Sequence, residues 1–204
     1  MPYLDQIVAQ INAALQAGPL SDSRFRESRI ESIAVQAEIK DDGANKIFIP
    51  LVYNKNGSGD YKEVTFDDVY PLTLYHRVLS NSYAPVSGDA YGATKRKIKA
   101  TTNMLLCVMA FKNQVKLSPQ SLEALMVCNF PLGNTPEFKI APLQTCILTV
   151  TDSNMDSLSA FQQEFKGLNV DLNPEKIIFF IKYKIESTYY QGCFNICDCE
   201  SSNS

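Results

Sequence analysis

The sequence predicts a single α/β (α+β) domain: a mostly antiparallel or mixed sheet, three helices packed on it, and a long hairpin projecting from it. Three observations carry that reading. Leu4, Ile7, Val8, Ile11, Ala14 and Leu15 recur at three- and four-residue spacing, the apolar stripe of one helix. Residues 176–186 alternate Ile177, Phe179, Ile181, Tyr183 and Ile185 against Ile178, Phe180, Lys182, Lys184 and Glu186, the strongest strand signal in the chain. Residues 95–111 alternate as well, with Ile98, Ala100, Met104, Leu106, Val108 and Ala110 on one face. Their other face is polar first (Lys95, Lys97, Lys99, Thr101, Asn103) and apolar afterwards (Leu105, Cys107, Met109, Phe111). A strand of that kind is buried at one end and projects at the other.

The remaining elements follow in order. Gly18 and Pro19 stop the first helix, and residues 20–29 form a polar connection. Ile33, Val35, Ala37 and Ile39 alternate with polar or small residues as a half-buried strand, and Asp41-Asp42-Gly43 turns the chain. Residues 47–53 make a strand in which Pro50 cannot donate to a ladder, so it lies at an edge or a bulge. Gly57 and Gly59 mark a hairpin tip, and residues 61–66 return. Leu72, Leu74, His76 and Val78 share one face of a further strand, and Ser80 to Thr94 lacks periodicity and reads as an irregular insertion. Ser118-Pro119 opens a second helix with Leu122, Leu125 and Met126 buried. A strand follows at 145–151. Asp152 or Ser153 caps a third helix striped by Met155, Leu158, Phe161 and Phe165 and ended by Gly167. The domain is expected to span 1–188, with its hairpin at about 72–111, and residues 189–204 are expected to form a cysteine-containing tail.

Composition bounds the function. With 45% hydrophobic and 20% charged residues, the chain has an ordinary globular balance. Its net charge of −3 argues against a dedicated nucleic-acid binder. No signal peptide or membrane-spanning run is read, so the chain is expected to stay in a cytoplasm with its thiols reduced. Cys107, Cys128 and Cys146 lie in apolar stretches and read as buried free thiols.

No residue pattern points to catalysis, and no enzyme activity, metal or cofactor is expected. His76 is the single histidine and has no accompanying nucleophile motif, so it reads as structural. Cys193, Cys197 and Cys199 could hold Zn²⁺ only if Asp198, His76 or another subunit supplied a fourth ligand. The favoured reading is a tail whose Cys193, Phe194 and Ile196 pack on a neighbour. Lys95, Arg96, Lys97 and Lys99 beside Tyr91 form the one basic run, read as a solvated strand face rather than a nucleic-acid site. Asp41-Asp42 and Asp67-Asp68 are adjacent turn carboxylates that do not converge for acid–base work. The surfaces left for contacts are the 80–103 region, with Tyr83, Tyr91, Lys95, Arg96, Lys97 and Lys99, and the end of the chain, with Tyr189, Tyr190, Cys193, Phe194, Cys197 and Cys199.

The order of elements resembles the tail-terminator and neck-ring proteins of tailed phages. These are small α/β subunits with an N-terminal helix such as Leu4 to Leu15, long hairpins such as Leu72 to Phe111, and helices lying on one face. Phe180-Ile181-Lys182-Tyr183-Lys184-Ile185-Glu186, with the tyrosine- and cysteine-bearing tail after it, resembles structural proteins of the crAss-like phages. The resemblance implies a virion protein, assembled in the host cytoplasm, that forms a ring in the head–tail connector or terminates the tail. Its expected partners are copies of itself and portal, neck or tail proteins. DNA would pass through without sequence recognition, and no membrane is involved. The competing expectation is a protein- or glycan-binding module of a bacterial host or mobile element, acting through the Ser80 to Thr94 segment with Tyr83 and Tyr91.

Overall fold

The structure, a computed structural model, describes residues 2–40, 46–53, 60–86, 97–131, 133–134, 145–154, 156–167 and 174–190. Helix α1 (Pro2–Ala17) buries Leu4, Ile7, Val8, Ile11 and Leu15. It ends where the Gly18 N–H bonds the Ala14 carbonyl and Pro19 begins a short 3-10 turn. Strands β1 (Arg29–Lys40), β2 (Lys46–Tyr53), β3 (Tyr61–Glu63), β4 (Leu72–Pro85) and β5 (Lys97–Phe111) follow. After them come α2 (Lys112–Val115), α3 (Pro119–Cys128), β6 (Gly133–Asn134), β7 (Thr145–Asn154), α4 (Ser157–Glu164) and β8 (Lys176–Tyr190).

The fold is mixed α+β, built on one eight-stranded sheet in the order β3-β2-β1-β4-β5-β8-β7-β6. Only β1 and β4 run parallel, from Arg29↔Thr73 to Ala34↔Arg77; the other neighbours are antiparallel. Beyond Arg77 the sheet forks. From Val35 onward β1 is paired with β2, while β4 continues along β5. Pro50 sits where an outer neighbour runs out. Its carbonyl accepts the Val64 N–H at 2.9 Å, and the β3 ladder spans only Leu51 to Tyr53, so the proline nitrogen interrupts no rung.

Both faces of the central strands are covered. On the first face, α1 and α3 pack on Leu72, Leu74, Met104, Leu106, Val108, Phe179 and Ile181. On the second face, α4 brings Ala160 and Phe161 over Tyr75, Leu105, Cys107, Ile178 and Phe180, with Ala34 and Val52 from the other limb of the fork. The helices therefore lie on two faces, where the phage resemblance implied one. The double burial of residues 105–110 explains why β5 is apolar on both sides in its second half.

Several expectations need correction. Ser80 to Pro85 is strand, paired from Ser80↔Asn103 to Pro85↔Ile98. An extra residue, Leu79, shifts the register between Val78 and Ser80, so face alternation changes phase there and the periodicity is hidden. Residues 87–94 of the expected insertion lie outside the described residues. The third helix is capped by Asp156, not Asp152 or Ser153, because β7 runs through both and pairs with β8 as far as Asn154. Leu158, expected in that helix's stripe, is exposed on its first turn. Cys128 is exposed too: it lies two positions past Met126, off the buried side of α3. The extension at 72–111 is more than a hairpin. β8 pairs with all of β5, and β7 pairs with β8 from Thr145↔Thr188, so it is four strands wide. β8 also runs past residue 188, the expected end of the domain, to Tyr190.

Candidate functional site

Among the described residues, no helix covers the outer part of the second face of this extension. Its residues follow from alternation and register. On β8, Ile178 and Phe180 are core, so Lys182, Lys184, Glu186 and Thr188 continue the same face outward. On β5 the matching positions are Asn103, Thr101, Lys99 and Lys97, paired with Lys184, Glu186, Thr188 and Tyr190. β4 adds Ser80, Ser82 and Ala84, and β7 adds Thr145, Ile147, Thr149 and Asp152. The face is small, hydroxylic and basic.

Polar pairs cross it. Lys99 and Lys184 both reach the Glu186 carboxylate, which these two ammonium groups hold below its ordinary pKa. Lys182 meets Asp152 at 3.1 Å. Thr145 and Thr188 hydroxyls are 2.7 Å apart, and the Asn103 amide donates to Ser80 Oγ at 2.9 Å. Three lysines, Lys99, Lys182 and Lys184, share these two carboxylates and Lys97 lies on the same face, so the described side chains there carry more positive than negative charge on a chain whose total charge is negative. Lys182 and Lys184 are the part sequence reasoning missed. They lie some 85 residues from Lys97 and Lys99, and pairing of β5 with β8 brings the two sets together.

The expected contact residues divide. Lys97 and Lys99 lie on this face, and Tyr83 lies exposed on the opposite side of β4. Tyr189 is buried on the first face near Tyr3 and Tyr83, and burial raises its pKa. Tyr190 closes β8 opposite Lys97. Tyr91, Lys95, Arg96, Cys193, Phe194, Cys197 and Cys199 lie outside the described residues.

Two buried polar clusters sit deeper. On the first face, Asn12 Nδ2 donates to the Glu31 carbonyl, so its Oδ1 accepts from His76 Nε2 at 2.8 Å. The other ring nitrogen, Nδ1, then accepts the Tyr183 hydroxyl at 2.7 Å. Burial lowers the His76 pKa to about 3 and keeps the ring neutral. Both nitrogens are used within the core, so the ring is a structural group. On the second face, at the fork, Arg77 Nη2 lies 3.1 Å from the fully buried Glu164 carboxylate. Gln36 accepts from Arg77 and donates to the Glu164 carbonyl, and Tyr75 and Cys107 face the same carboxylate. Neither Glu164 oxygen has hydrogen-bond geometry to a partner, and burial raises its pKa against the opposing pull of Arg77. No sequence signal marked this cluster, whose members come from β1, β4, β5 and α4.

A groove of about 450 Å³ lies elsewhere, between the end of α1 and the start of β1, floored by Leu20, Phe25 and Ile30 and rimmed by Gln16 and Arg26. None of the expected contact residues lines it. Among the described residues no group of His, Cys, Asp or Glu is placed to hold a metal, and no helix is long and apolar enough to cross a membrane. No family model matches the chain, and no curated protein matches it.

Proposed function

We propose that this chain is a non-enzymatic structural subunit that assembles with copies of itself into a ring. The assembly fits the head–tail connector, or the end of the tail, of a tailed phage, where it gives DNA a conduit between portal and tail. One observation carries the reading: a four-stranded extension buries its first face in the core, while among the described residues no helix lies over the outer part of its second face. The packed first face holds the strands in place, and the second face offers a rigid contact surface. Its side chains are small hydroxyls and lysines held by cross-strand pairs, which suits a docking face more than a pocket. The mild negative charge of the whole chain suits a channel that DNA passes without being trapped.

Light scattering across a concentration series, with electron microscopy of the largest species, tests the assembly. Closed rings of one size are expected. A chain that stays monomeric at its solubility limit, and binds no portal or tail protein, overturns the proposal.

A further inference from the structure

We propose that two copies of this chain bind head to tail, with the β3 edge of one copy docking on the second face of the extension of the next. The inference rests on the ring reading and names its contact. The β3 edge has the chemistry that the lysine face lacks. Tyr53 and Tyr61 stand edge to face across β2 and β3, with Tyr61 57% exposed. Val69, in the turn after β3, is 68% exposed. Arg29 ties edge and turn together, donating to the Glu63 carbonyl and lying over the Tyr70 ring.

Among the described residues the charges around these apolar groups are mainly acidic: Asp60, Glu63, Asp67 and Asp68 against Arg29 and Lys62. Lys62 itself is drawn to Glu31 at 2.7 Å. The extension presents Lys97, Lys99, Lys182 and Lys184 against Glu186 and Asp152, with Ile147 exposed among them. An aromatic centre with an acidic rim therefore meets a lysine- and threonine-bearing plate with an apolar residue of its own. The two surfaces differ, so their contact is heterologous. Each copy keeps one of each free for the next copy, and the series closes when the rotation per copy allows. In the sheet order, β3 lies at one end and β4-β5-β8-β7 lie beyond the fork, so one surface can be occupied without covering the other.

Charge reversal tests the pairing. Glu63→Lys with Asp68→Lys makes an edge variant; Lys99→Glu with Lys184→Glu makes a face variant. Each alone is expected to weaken self-association roughly ten-fold or more. Mixing the two restores assembly, because every contact in an alternating series is then between opposite charges. Combining all four changes in one chain restores it too. Wild-type assembly should also weaken at high salt. Circular dichroism melts check that the variants fold, and Lys99→Gln with Lys184→Gln, expected to give a smaller weakening, replaces a face variant that does not. If the wild type forms rings and the variants do so equally well, the ring reading stands and this contact is overturned. If the wild type never associates, the ring reading fails and takes the contact with it.

Discussion

His76 and Glu164 are both buried, but they differ in how well their surroundings satisfy them. The imidazole has a donor and an acceptor in place, Tyr183 and Asn12, and is held neutral by burial with its pKa near 3. Its folded pKa lies below the unfolded value of 6.5, so the unfolded chain binds the proton more readily. Its contribution is thus complete above about pH 6.5 and is lost as pH falls toward 3. From pH 7.5 to 5 the wild type should lose about 2 kcal/mol more than His76→Gln, measured by urea unfolding at each pH. Parallel pH profiles would show that the ring is not buried neutral. Glu164 is a different case, a charged pair without full hydrogen bonding. Glu164→Leu leaves Arg77 without its counter-charge and should cost about 3–5 kcal/mol, while adding Arg77→Met should return stability to the wild-type level or above it. A double-mutant cycle by chemical denaturation decides this. The structural role of His76 was legible because a single histidine leaves so few catalytic arrangements. Its partners were not, since Asn12 and Tyr183 lie 64 and 107 residues away and carry no local pattern.

Local signals placed the elements well wherever one pattern ran unbroken. The stripe of α1, the Ser118-Pro119 start of α3 and the alternation of β8 all have that property. The misreadings fall where a pattern is cut. In β4 the extra residue at Leu79 moves the exposed and buried positions out of phase, so six paired residues looked like loop. At α4 the cap expected at Asp152 or Ser153 is lost to tertiary pairing: both residues are held in the ladder opposite Lys182 and Ile181, and Asp156 accepts from the Leu158 and Ser159 N–H groups. Asp156→Ala should therefore cost about 1 kcal/mol, with a range of roughly 0.5–2. Ser153→Ala, at one of the two caps expected from sequence, should stay within about 0.5 kcal/mol. Thermal unfolding of the two variants separates them, and equal losses would put the helix start elsewhere.

At the scale of the whole molecule, strand faces were readable in β5 and β8 but not in β1, where Val35 is exposed and Ala34 is buried, and strand neighbours were not readable. Alternation tells which side chains share a face; it does not say that β8, the last strand, inserts between β5 and β7, or that β1 meets β4 in parallel. The lysine face is a product of that insertion. The same arrangement sets how stability is distributed. β5 is paired on both edges from Ile98 to Ala110 and β8 from Phe180 to Thr188, and their lower halves, Leu105–Ala110 and Ile177–Ile181, are covered on both faces. The outer ends have one covered face, and the last seven residues of β4 are exposed. Local opening should follow this gradient, because a segment opens separately when few apolar contacts bind it to the rest. In native-state hydrogen exchange, amides of 105–110 and 177–181 should exchange only through global unfolding, with a denaturant dependence equal to that of unfolding. Amides of 80–84 should exchange by local fluctuation with almost none. Residues 98–103 and 184–188 should fall between. In an assembled ring the exchange of 98–103 and 184–188 should slow further, since a partner would cover the open face. If these segments already exchange only by global unfolding in the free monomer, the extension is part of the core and no second copy is needed to complete it.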